Sequence, residues 1–200
     1  MGRKDYDIIS RMVRPDTRVL DLGCGDGSLL DRLVREKNVR AQGVEIAESL
    51  VQECIMKGLS VLHFDIDKGL ADYRNNSFDY VILNQTLQAV HYPKLVIDDA
   101  LRVAKQVIIG FPNFAFLTIR WSLALIGKIH NTRIYPYKWY DATNIHLLTV
   151  KDFGDFCEEE GIQIVDRAFI GRPQFMSRID PNSFSEVAIF CIKKPRKSVD

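Results

Sequence analysis

Val19-Leu20-Asp21-Leu22-Gly23-Cys24-Gly25-Asp26-Gly27 is the stretch that decides the fold. A short apolar strand carries one acid and runs straight into three glycines at alternate positions. Gly23 and Gly25 permit positive φ and a close backbone approach that side chains would forbid. Gly27 lets a helix begin tight against the strand, with its unpaired N–H groups turned toward a polar ligand. A glycine loop that follows a strand and opens a helix reads as a nucleotide site rather than an ordinary tight turn.

Charge selects the nucleotide. A dinucleotide loop wants its third glycine where Ser28 stands, and no phosphate-gripping lysine follows the loop. Asp21 and Asp26 put negative charge where a pyrophosphate would have to lie. Acids suit a ligand bearing an ammonium and a sulfonium, so the expected cofactor pair is S-adenosylmethionine / S-adenosylhomocysteine, held by Asp21, Gly23, Cys24, Gly25 and Gly27. The next apolar run ends in Gly43-Val44-Glu45-Ile46, which places Glu45 where it can take both ribose hydroxyls, with Ile46 beside it. After the third run, His63-Phe64-Asp65-Ile66-Asp67 offers Asp65 to the adenine amino group, while Ile66 packs on the ring and presents its N–H. Asp67 competes for that role or caps the turn that follows. Asn84 and Gln85, beyond the fourth run, either face the methionine moiety and the methyl-transfer zone or cap the next helix.

The rest of the chain alternates in the same way. Strands are expected over 18–22, 41–46, 60–64, 78–83 and 105–111, short and rich in Val, Ile and Leu as in strands buried on both faces. Helices are expected over 5–13, 28–36, 47–57 and 92–103, which makes crossover units and a parallel sheet. A helix over 150–160 stops at Gly161. Strands over 162–170 and 186–192 follow, joined by a loop too short for a crossover, so they pair antiparallel. The expected fold class is α/β, a Rossmann-like seven-strand, mostly parallel sheet with one antiparallel strand and helices on both faces. It forms a single domain over 1–192, with a helical and aromatic insert at 112–149 and a frayed charged tail at 193–200.

Composition bounds the function. With Lys+Arg 27 against Asp+Glu 26, the chain has no basic excess for wrapping nucleic acid. Its four cysteines are widely spaced without a CxxC pair, which argues against a zinc or disulfide framework and for a reducing cytoplasm. The first residues lack the apolar core of a signal peptide. The most apolar stretch, 115–127, is shorter than the ~20 residues of a membrane span and contains Arg120.

"VLDLGCGDG" at 19–27, "GVEI" at 43–46, "FDID" at 64–67 and "SFDYVILNQTLQAV" at 77–90 resemble the class I S-adenosylmethionine-dependent methyltransferase fold. More specific stretches are "LNQTLQAV" at 83–90, "IGFPNFAF" at 109–116, "YPYKWYDATNIHLLTVKDF" at 135–153 and "CEEEGI" at 157–162. With the short length, these resemble the MetW family of methionine-biosynthesis proteins. The resemblance implies a methyltransferase-like protein that acts with a homoserine O-acyltransferase, the alternative being an active methyltransferase on a small-molecule or protein acceptor. No Asn-Pro-Pro-Tyr motif follows the fourth strand, which speaks against DNA or glutamine N-methylation.

The insert carries the remaining unusual residues. Phe116, Ile119, Leu123 and Ile126 recur at helical spacing, and Trp121, His130, Tyr135, Tyr137, Trp139, Tyr140 and His146 crowd around them. Such a segment forms an acceptor pocket, a docking surface or a satellite core over the sheet. His146, Tyr140 and Asn84 are the candidates for acceptor chemistry. An imidazole is suited to acid–base work near neutral pH, but in an extended segment 144–148 His146 serves equally well as a hydrogen-bonded structural histidine.

Overall fold

The computed structural model describes residues 3–128, 146–171 and 173–194. Five parallel strands form its centre: β1 (Arg18–Leu22), β2 (Arg40–Glu45), β3 (Val61–His63), β4 (Phe78–Asn84) and β5 (Ala104–Pro112). β6 (Gln163–Gly171) and β7 (Ser185–Lys193) complete the sheet, with β7 antiparallel to both β5 and β6. The order β3-β2-β1-β4-β5-β7-β6 reverses between β1 and β4, which opens a crevice at the carboxyl ends of those two strands.

Local signals explain the helix limits. α1 (Lys4–Met12) ends before Pro15, and α2 (Ser28–Lys37) closes on Asn38, whose left-handed backbone returns its N–H to the Val34 carbonyl. α3 (Glu48–Met56) and α4 (Pro93–Val103) are the remaining crossovers, α4 having proline in its first turn. α6 (Val150–Glu159), which follows α5 (Leu117–Ile126), is capped by Thr149, whose side chain accepts the Asp152 N–H at 3.1 Å. The β6–β7 connection carries two single-turn helices, α7 (Met176–Ile179) and α8 (Pro181–Phe184), and no crossover.

The strands alternate their side chains between two cores. Leu20, Leu22, Val81, Leu83, Val107 and Ile109 pack under α4 and α6, while Val19, Ile82, Ile108 and Ile189 pack under α1 and α2. Burial on both faces holds for the inner strands only. β3 and β6 are the sheet edges, each with one strand neighbour, and Leu62 and His63 lie exposed on β3.

Phe153 of α6 seals the first core, its ring centroid 5.2 Å from Phe111 and 4.9 Å from Phe190. Truncating a fully buried phenylalanine removes its transfer energy and leaves a cavity that a sheet-backed site cannot collapse. Phe153→Ala is expected to cost about 3–5 kcal/mol. Urea titration will show this as a lower midpoint at unchanged slope; an unchanged midpoint would mean that α6 does not stabilise the sheet.

The insert departs from its expected pattern. Pro112 is the last residue of β5, and α5 buries Ile119 and Ser122, whereas Leu123 and Ile126 are 47% and 68% exposed. The Ser122 hydroxyl turns inward to donate to the Lys128 carbonyl at 2.7 Å. The apolar stripe through Leu123 and Ile126 is therefore not the buried face of this helix. His130, Tyr135, Tyr137, Trp139 and Tyr140 lie outside the described residues.

Candidate nucleotide site

The glycine loop lies at the carboxyl edge of β1, held against the end of β2. Gly23 and Cys24 both donate their N–H to the Val44 carbonyl, at 2.8 and 3.1 Å. Gly23 has φ +74°, and a Cβ there would lie 2.6 Å from the Thr86 side chain, so the loop after β4 can approach only a glycine. Gly27, also at φ +74°, opens α2, and a Cβ on it would meet Leu59 and the Cys54 sulfur.

Asp21 stands on β1 below this loop. It is 2% exposed, and its carboxylate takes no hydrogen bond from the described residues. Burial pushes its pKa up to about 7, with the neighbouring Glu45 charge adding to the effect. A buried carboxylate without a partner destabilises the unliganded fold, and such groups cluster at binding and catalytic sites.

Asp26 has a different role from the one its place in the loop suggests. Its carboxylate caps the start of α2 through the Ser28 N–H at 3.1 Å and the Ser28 hydroxyl, and pairs with Lys57 at 3.1 Å. Partial burial works against its ionised form, but the Ser28 bonds and Lys57 outweigh it and hold the group below the ordinary carboxylate range. Of the two acids in this stretch, Asp21 has no counter-charge paired with it among the described residues.

The Cys24 thiol turns away from the crevice. Its sulfur packs 4.0 Å from the Cys54 sulfur and against Gly43, and burial raises the pKa of the thiol so that it stays protonated. Cys24 thus offers the crevice its backbone and no reactive sulfur.

Glu45 ends β2 and folds back over the loop. One oxygen accepts the Gly25 N–H at 2.9 Å, and the other accepts the N–H groups of Ile46 and Ala47, each at 2.9 Å. The side chain expected to meet a ribose is also the clasp that holds the loop in shape. Ile46, beside it, is exposed.

Asp65 and Asp67 divide their roles in a way the sequence left open. Asp65 caps the short helical turn Ile66–Lys68, accepting the Asp67 N–H at 3.0 Å, and Ile66 is half-buried against the core. Asp67 accepts the N–H groups of His91 and Tyr92 and contacts the His91 ring nitrogen at 3.1 Å. Both acids serve as caps, and Asp67 is the more fully engaged.

Asn84 and Gln85 follow β4 into the crevice. Asn84 donates to Asp5 at 3.0 Å, while its carbonyl oxygen is buried, without a partner among the described residues, in the space that a side chain at Gly110 would fill. Gln85 has φ +62°, which is uncommon for a residue with a side chain and is found at strained, functional loops. Its N–H donates to the Gly110 carbonyl at 2.7 Å, and its own carbonyl receives the Gln88 side chain at 2.9 Å.

His146 binds backbone. Its N–H donates to the Gln88 carbonyl at 3.1 Å, and its Nε2 lies 3.0 Å from the Val90 carbonyl. A carbonyl accepts only, so Nε2 carries the proton there and His146 pins the segment before α6 to the loop after β4. Tyr140 lies outside the described residues.

Arg3, Asp5 and Tyr6 belong to this site and are missed by sequence reasoning. They precede the glycine loop in no recognised motif, and they reach it only because α1 folds back across the sheet edge. Asp5 is buried and joins Arg3 at 2.8 Å to Asn84 at 3.0 Å. Burial pushes the Tyr6 hydroxyl up to about 12, against the lowering effect of Arg3 and with Asp21 nearby.

Comparisons with known proteins bear on the fold and the family. A family model described as "Methionine biosynthesis protein MetW" matches residues 3–192. The chain is 31% identical over 189 residues to the "Bifunctional methionine biosynthesis protein MetXA/MetW" of Rhodopirellula baltica, covering 90% of this chain and 30% of that protein. The chain therefore spans about a third of the length of that curated relative. Among solved structures, an S-adenosylmethionine-dependent methyltransferase from Mesorhizobium loti superposes with TM-score 0.71 at 15% identity, covering 96% of this chain and 99% of the other. One from Geobacter sulfurreducens, in complex with S-adenosylhomocysteine, gives TM-score 0.64 at 12% identity over 98% and 92% of the two chains. These likenesses establish the class I methyltransferase fold. With its glycine loop, its Glu45 clasp and a family match over almost its whole length, the chain belongs to the MetW family of methionine biosynthesis proteins.

Proposed function

We propose that this protein binds S-adenosylmethionine or S-adenosylhomocysteine in the crevice between β1 and β4, and that it acts with a homoserine O-acyltransferase in methionine biosynthesis. The observation that carries the reading is Asp21, a buried carboxylate with no hydrogen-bond partner among the described residues, behind a glycine loop. A ligand ammonium neutralises it. Glu45 retains lone pairs for the ribose while clasping the loop, and Ile66 offers an apolar surface to adenine. When bound, S-adenosylmethionine supplies an electrophilic methyl group on a sulfonium. The residues described here hold and orient the nucleoside. His146, with Nε2 committed to Val90, provides no base at that nitrogen.

The partner half of the reading is supported by the relative whose single chain carries both MetXA and MetW. A binder of the pathway's downstream nucleotide is chemically suited to regulate an early acyl transfer. Calorimetry should show S-adenosylhomocysteine binding at one site per chain and no binding of NAD. Tight binding of NAD alone would overturn the ligand assignment. Co-purification with the acyltransferase, followed by its rate with and without nucleotide, tests the partner. No association at micromolar concentration sinks that half, and nucleotide-dependent methyl transfer to an acceptor would favour an active methyltransferase instead.

A further inference from the structure

An S-adenosyl ligand ends in an α-amino acid, so its site must meet a carboxylate as well as an ammonium. Asp21, Glu45 and Asp26 are all acids. Among the described residues around the glycine loop, two cations stand close, Lys57 and Arg3. Lys57 is committed to the loop itself, bonded to the Asp26 carbonyl and carboxylate. Arg3 is not committed in this way.

The position of Arg3 follows from strand register. Asp21 pairs with Ile82, and side chains alternate along a strand, so Asn84 lies on the same sheet face as Asp21 and one step nearer the carboxyl edge. Asn84 holds Asp5 at 3.0 Å, which fixes the first turn of α1 over that edge. Asp5 in turn grips Arg3 through Nε at 3.3 Å and Nη2 at 2.8 Å, and Arg3 Nη1 donates to the Tyr6 hydroxyl at 2.9 Å. Three of the five guanidinium N–H donors are thereby used by the described residues and two remain. The side chain is 54% exposed, and its charge senses Asp26 in the loop.

Resting on the S-adenosyl reading of the crevice, we propose that Arg3 is the specificity-determining residue for the amino-acid end of the ligand. Its two remaining N–H groups receive the ligand carboxylate, while Asp21 receives the ammonium. Asp5 is a positioning residue that keeps the planar fork aimed at the crevice, a geometry that lysine cannot reproduce.

Two nucleosides separate this role from a structural one: S-adenosylhomocysteine, which has the amino-acid end, and 5′-methylthioadenosine, which lacks it. Calorimetry on the full chain should show Arg3→Ala weakening S-adenosylhomocysteine about 10- to 100-fold, with 5′-methylthioadenosine unchanged within about twofold. Arg3→Lys should recover part of that loss and become more sensitive to salt. Equal weakening of both nucleosides by Arg3→Ala assigns Arg3 to holding α1 and overturns the proposal, as does no change for either. If the unsubstituted protein binds neither nucleoside, the S-adenosyl reading itself fails, a result distinct from any effect of the variants.

Discussion

Asp21→Asn is expected to stabilise the protein in the absence of nucleotide and to remove its affinity for S-adenosylhomocysteine. An unfolded aspartate ionises near 3.8, whereas buried Asp21 ionises only at about 7. Between those values the folded state holds a proton that the unfolded state has released. Stability therefore falls as pH rises through that window, and the full penalty is present above pH 7. Asparagine keeps the shape without the charge and removes a penalty of at most about 4 kcal/mol. Melting curves at pH 8 should show the variant several degrees above the unsubstituted protein, and at pH 4 the two should converge. Melting temperatures that stay equal at pH 8 would show that the Asp21 charge is already compensated.

Binding runs in the opposite direction to stability. A cationic ligand pairs with the ionised form of Asp21, so affinity should rise about thirtyfold between pH 5.5 and pH 8. In Asp21→Asn that dependence should be lost along with most of the affinity. A site that destabilises its own fold until it is filled is a common cost of function.

Glu45→Ala should be the most damaging single change at the site. One carboxylate serves three backbone donors, Gly25, Ile46 and Ala47, which together tie the glycine loop to the end of β2. Removing it leaves those N–H groups without their acceptor in a partly buried setting, at about 3 kcal/mol in total. Thermal melting should report the loss, and nucleotide binding should vanish because the loop shape goes with it. Glu45→Gln retains one acceptor oxygen and should fall between. It should also lower the pH midpoint of binding, because the Glu45 charge helps to raise Asp21. Normal melting of Glu45→Ala would show that the loop holds its shape without the clasp.

The fold was largely readable because it depends on local patterns. The expected strands 18–22 and 78–83 meet β1 and β4 within one residue, since apolar runs bounded by turn residues admit little choice. The antiparallel entry of β7 followed from the length of one connection. Burial along a strand was less readable, because it depends on neighbours. β3 reads like an inner strand and proves to be an edge, and α5 buries Ile119 and Ser122 where the spacing also promised Leu123 and Ile126.

At the site, the residue types and their spacing marked Asp21, the glycines and Glu45 directly, because a motif within one strand–loop–helix unit is local. What each acid does was a matter of tertiary contact. Asp26 is neutralised by Lys57, just past the end of α3, and Asp67 is held by the backbone N–H groups before α4. Arg3 and Asp5 enter the site across the sheet edge through Asn84, far from them in sequence. The sequence by itself thus determined the sheet and the glycine loop, and it motivates the proposed nucleotide. Only the tertiary structure decided which charges stay unpaired, since pairing depends on which elements fold against the loop.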